Sequence, residues 1–147
     1  MPLAASAQKD VFADLIEESL KDGCDFEMVQ SLHIQLHEIR EEQKDSPDPV
    51  ALGKGEMKNL LERAGAGSEQ VKRFDERFDE VAGRNEQFML SNITSVRKFE
   101  VKTPEVVIQV NPDRSDLIEE RVVDGRKCFI IPITDEVQVN GIRVRPH

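Results

Sequence analysis

Tryptophan and tyrosine are absent from this sequence, and with them go the aromatic platforms on which nucleobases and sugars usually stack. Cysteine is almost absent. Cys24 and Cys128 lie in unrelated segments without CxxC spacing, so they read as small buried hydrophobes in a reducing compartment. Basic excess is also missing. The formal charge is −9, with 20 acids against 11 bases in residues 1–95 and 9 against 9 in residues 96–147. Duplex and anionic-membrane binding both need a basic face, so neither nucleic acid nor a membrane surface is an expected partner. No apolar run approaches membrane-spanning length and no cationic, then apolar, start marks a signal peptide, which makes the cytoplasm the expected location. Phosphate-cradling glycine loops, a GxSxG elbow and a supported Cys/His dyad are lacking as well. No catalytic residue and no cofactor is therefore expected, and the residues themselves do not state an activity.

What the sequence does have is β-branched patterning in its last third. Val101, Val106, Val107, Ile108 and Val110, then Val122, Val123, Ile130, Ile131 and Ile133, then Val137, Val139, Ile142 and Val144 fall in strand-like runs. Asp124-Gly125 and Asn140-Gly141 tolerate the positive φ of a two-residue type I′ turn, so each marks a hairpin. With Asn140 and Gly141 as the loop, Val139 faces Ile142 and Val137 faces Val144. That register puts four apolar side chains on one face, with Gln138 and Arg143 on the other. Pro104 cannot take positive φ, so the run from Lys98 to Val110 is expected as one bent edge strand rather than a tight hairpin.

Upstream, the apolar positions recur at helical spacing. Val11, Phe12, Leu15, Ile16 and Leu20 mark a first helix stopped by Gly23; Val29, Leu32, Leu36 and Ile39 mark a second, capped by Asp25. The short link predicts that these two fold back as an antiparallel pair. Met57, Leu60 and Leu61 define a third helix. Val71, Phe74, Phe78 and Val81 define a fourth, capped by Ser68 and ended by Gly83. The expected fold class is α+β: about four N-terminal helices, as two helical hairpins, followed by a four- to five-stranded antiparallel sheet that forms the core. The expected organisation is a helical hairpin over 1–46, a Pro/Ser/Asp-rich linker over 47–53, and a helical pair plus sheet over 54–147, or one domain throughout.

Candidate sites are few. His33 and His37 stand four apart on one helical face, as a metal pair requires, and Glu41 continues that face. Without HExxH or a nearby cysteine, such a pair more often flanks an apolar stripe, so no metal is expected and the two histidines are weak candidates. The third and fourth helices superficially match a helix-turn-helix, but Glu69, Asp75, Glu76, Asp79 and Glu80 oppose a DNA-reading role. Asn111, Asp113, Arg114 and Asp116 form a dense polar turn, either a partner-anchoring loop or a self-satisfied Asx turn.

The pieces KFEVKTP at Lys98 to Pro104, VNPDRSDL at Val110 to Leu117, VVDGRK at Val122 to Lys127 and EVQVNG at Glu136 to Gly141 resemble a bacterial family of domains of unknown function, DUF4317. FDERFDEVAG at Phe74 to Gly83 and QKDVFADLIEESL at Gln8 to Leu20 fit it too. Family members are longer at the N-terminus, so the resemblance implies that this chain is a C-terminal part. It brings no activity, cofactor or site residues. The function these features favour is a non-catalytic protein-interaction or assembly module, with a protein partner or a second copy as its ligand. The alternative is an accessory domain of a hydrolase or metal-dependent enzyme whose active site lies in an N-terminal region outside this sequence.

Overall fold

A computed structural model describes residues 3–95 and 97–145 of the chain. They form two compact units, Met1–Ser115 and Asp116–His147. The first contains α1 (Ala5–Leu20), α2 (Phe26–Gln43), α3 (Lys54–Arg63), α4 (Ser68–Val81) and a single-turn α5 (Leu90–Ile93). It also holds two strand pairs, β1 (Ala51–Leu52) with β2 (Phe88–Met89) and β3 (Phe99–Lys102) with β4 (Val107–Val110). The second consists of two hairpins, β5 (Glu119–Val123) with β6 (Arg126–Ile130), and β7 (Val137–Val139) with β8 (Ile142–Val144).

The fold class is α+β, but the single sheet expected from the sequence is not formed. Among the described residues there are four separate two-stranded antiparallel sheets. Each pair satisfies the backbone groups that face inward between its two strands, and among the described residues no hydrogen-bonded ladder joins one pair to the next. Nor is the sheet the core. Leu15, Leu20, Met57, Leu61, Phe74, Phe78 and Phe88 are almost fully buried in one cluster supplied by the helices and the short β1–β2 pair. The Phe74, Phe78 and Phe88 rings pack in sequence with centroids 5.8 Å apart at each step, the spacing at which tilted rings attract beyond their simple burial.

Capping explains why the helices begin and end where they do. Asp25 Oδ1 accepts from the Met28 amide at 2.9 Å, the N-cap that its position in the sequence suggests. At α4 the cap is Gly67 rather than Ser68, and Gln70 Oε1 accepts from the Gly67 amide at 2.8 Å. The same glutamine donates from Nε2 to the Leu20 carbonyl at 3.1 Å, and Arg73 Nε donates to the Ser19 carbonyl at 3.0 Å. Two carbonyls at the end of α1, on the buried residues Ser19 and Leu20, are thus satisfied by α4.

The helical pairing also differs from expectation. Instead of folding back on α2, α1 lies chiefly against α4 and α5, while α2 lies against α3. An open cleft of about 440 Å³ is lined by Phe12 and Ile16 of α1, Leu32 and Leu36 of α2, and Phe99. The stretch expected as a linker ends inside the core. Leu52 is buried and pairs with Phe88, and Val50 accepts a hydrogen bond from the Leu90 amide at 3.0 Å. Three apolar residues at its C-terminal end outweigh the prolines before them.

The run from Lys98 to Val110 is a hairpin after all. Phe99 pairs with Val110 and Lys102 with Val107, leaving a four-residue loop from Thr103 to Val106. Thr103 donates its amide to the Val106 carbonyl at 2.8 Å, and its Oγ1 accepts from the Val106 amide at 3.1 Å. A longer loop closed in this way needs no positive φ from Pro104, which occupies the position where its fixed φ is favourable.

Candidate functional site

His33 and His37, singled out in the sequence, face the polar turn along the middle of α2, where His37 meets Asp113. A kinked 3-10 segment, Pro112–Leu117, follows β4, and its first residues lie along α2. Gln30 Nε2 donates to the Ser115 carbonyl at 2.8 Å, His33 Nε2 faces the Pro112 carbonyl at 3.4 Å, and His37 Nε2 hydrogen-bonds Asp113 Oδ1 at 2.5 Å. Positions 30, 33 and 37 share one face of the helix, so one rigid stripe holds one loop at three points. Inside the loop, Asn111 Oδ1 accepts from the Asp113 amide at 3.0 Å and the Asn111 carbonyl accepts from the Arg114 amide at 2.8 Å. This is the Asx turn that the residue types suggest.

The two histidines have different surroundings. His33 packs against Phe99, with centroids 4.7 Å apart, and its burial lowers the imidazole pKa, an effect the Pro112 contact partly opposes and neighbouring His37 adds to. His37 stacks on His33 with ring centroids 5.9 Å apart and nearly parallel planes, so the two Nε2 atoms address different partners. The fold gathers a different set: His37, Glu41 and Asp113 place their ligand atoms within 4.8 Å of one another. Glu41 Oε1 stands 3.8 Å from His37 Nε2, and Glu41 also pairs with Arg40 and Lys44. Asp113 lies 76 residues from His37 in the chain; no local spacing could have joined them.

Asn111, Asp113 and Arg114 fall in the first unit, and Asp116 opens the second. Asn111 spends its side-chain oxygen on the Asp113 amide within the turn. Elsewhere in the first unit, the cleft between α1 and α2 includes Cys24, whose thiol pKa is raised by burial and by Glu17 and Asp25. A raised thiol pKa makes a poor nucleophile.

The second unit shows a different kind of surface. Its β7–β8 register is the one that Asn140-Gly141 predicts, with Val137 opposite Val144 and Val139 opposite Ile142. Asn140 at φ 51° and Gly141 at φ 82° supply the turn. The apolar face so formed is uncovered. Val139 is 55% exposed, Ile142 70% and Val144 45%. In β5–β6, Val122, Val123 and Phe129 are exposed too, and so are Ile131 and Ile133 in the connection that follows.

No helix of the described residues is long and apolar enough to cross a membrane. Neither curated proteins nor solved structures give a match to this chain. A family model does, over residues 1–142, and the chain therefore belongs to the family described as domain of unknown function DUF4317.

Proposed function

We propose that this chain is a non-catalytic protein-interaction or assembly module of a cytoplasmic bacterial protein, and that its C-terminal hairpins are the contact surface. The supporting observation is the β7–β8 face, where Val137, Val139, Ile142 and Val144 share one side of a two-stranded sheet and three of the four are exposed. A lone two-stranded hairpin is marginally stable in water and gains independent stability by covering such a face. Covering a Val or Ile side chain contributes roughly 1.5–3 kcal/mol when burial is complete. Contiguous exposed apolar surface of this kind marks interaction sites. The outer edges of β4 and β8 have no strand partner among the described residues, and they offer main-chain groups for strand addition.

The test pairs the 147-residue chain with a Val139→Lys, Ile142→Lys variant. Sedimentation measures self-association, and affinity capture from a bacterial lysate measures binding to another protein. The expected result is a dimer or a stoichiometric captured protein with the natural sequence, lost in the variant while circular dichroism of the helices is unchanged. A monomer that captures nothing, or capture indifferent to both lysines, overturns this reading. An Arg114→Ala, Asp116→Ala variant run beside it reports whether the polar turn contributes.

A further inference from the structure

Independently of the interaction surface, we propose that His37, Glu41 and Asp113 form a binding site for one divalent transition-metal ion of the zinc class. The donors are one imidazole nitrogen and two carboxylate oxygens, all within 4.8 Å of one another. Zinc-class ions take nitrogen and oxygen ligands at about 2.0–2.2 Å, which places neighbouring ligand atoms on the order of 3 Å apart around a shared ion. The His37–Asp113 contact is already closer than that, and the His37–Glu41 separation is 3.8 Å. The remaining adjustment falls on the carboxylates. Asp113 is 65% and Glu41 39% exposed at the side chain, while the His37 side chain is held at 13%. The ring is thus fixed by packing and the acids can rotate to meet an ion.

The choice of ion follows from the donors. Imidazole with carboxylate suits Zn²⁺, Co²⁺ and Ni²⁺, whereas Mg²⁺ and Ca²⁺ favour oxygen alone. Exposure of the two acids leaves room for water to complete the coordination shell. Two features set the affinity low. Glu41 must give up Arg40 at 3.4 Å and Lys44 at 3.3 Å. His37 must also carry its ring proton on Nδ1, which is buried with no hydrogen-bond partner; metal-ligating histidines ordinarily donate that proton to a neighbour. The site is accordingly an exchangeable one. His33 is not a ligand, because its Nε2 is directed to the Pro112 carbonyl. An ion here would pin Asp113, and with it the loop after β4, to α2.

The probe is Co²⁺, titrated into the untagged 147-residue chain under excess Mg²⁺ and read by visible absorption, with Zn²⁺ competition read by calorimetry. Saturation at a single equivalent is expected, with a weakening of at least about tenfold in His37→Ala and in Asp113→Ala. Glu41→Gln should weaken binding as well, and His33→Ala should leave it within about twofold. Helical circular dichroism of each variant shows whether it remains folded, and Glu41→Gln, a surface change, keeps the test open if His37→Ala unfolds. No saturable binding of Co²⁺ or Zn²⁺ overturns the proposal. So does binding that survives Asp113→Ala or disappears in folded His33→Ala.

Discussion

The two units of this chain use similar residues to opposite ends. In the first, apolar side chains from five helices and two short strands converge, and Phe74, Phe78 and Phe88 are fully enclosed. In the second, hairpins with equally apolar strands leave eight large hydrophobic residues between Val122 and Val144 exposed. The difference is one of partners rather than composition. A helix has a single apolar stripe and finds its cover in other stripes of the same chain; a two-stranded sheet exposes both faces and both edges unless something outside it covers them.

The sharpest way to break this contrast is to remove one apolar side chain from each unit. Phe78→Ala should cost about 3–5 kcal/mol in urea denaturation, whereas Val139→Ser in the isolated chain should change stability by no more than about 0.5 kcal/mol. Equal losses would mean that the hairpin face is covered in solution. A smaller effect separates polar from apolar contributions to the first unit. Gln8 Oε1 accepts from the Met89 amide at 2.9 Å and from Asn92 Nδ2 at 3.1 Å, while its Nε2 donates to the Leu3 carbonyl at 3.1 Å. Gln8→Ala leaves a part-buried amide unpaired and should cost about 1–3 kcal/mol, with no change in the hairpin resonances of the second unit.

The smallest effect is a pH dependence confined to the first unit. Asp75 on α4 is hydrogen-bonded by Lys58 at 2.7 Å and Lys54 at 3.0 Å, and these contacts, more than the charges alone, hold its pKa below the ordinary carboxylate value. A depressed folded pKa stabilises the protein above the unfolded value, about 4, and that contribution fades as the pH falls through the folded value. The melting temperature of the natural sequence should therefore exceed that of Asp75→Asn at neutral pH, and the gap should close in acid. A gap that persists unchanged at pH 2 assigns the effect to shape rather than charge.

How much of this was legible beforehand depends on how far apart the interacting residues lie. The α4 stripe and the Asn140-Gly141 register both involve neighbours within a few residues; the register forms as the spacing predicts, and so does the stripe at Val71, Phe74 and Phe78, while Val81 at its end is exposed. Hairpin pairing was readable, but whether hairpins join was not, because alternation specifies which side chains share a face and says nothing of what covers it. At Thr103–Val106, Pro104 bars a two-residue turn but not a four-residue loop, which closes the hairpin with no positive φ at the proline. At the candidate site, His37 and Glu41 were visible as a helical pair. Asp113 was visible only as a turn residue, since the fold alone carries it across 76 positions. Gln8 gave no signal at all: a polar residue opening a helix ordinarily faces water.

The stripe of Gln30, His33 and His37 along α2 has a kinetic consequence. All three side chains grip consecutive parts of one short loop from one rigid rod, so when any single contact breaks, the other two hold its partner at high effective concentration and it re-forms at once. The loop therefore detaches as a unit or not at all. Amide exchange from Asp113 to Ser115 should occur in rare bursts shared by the whole segment, the behaviour of a latch rather than of a frayed end.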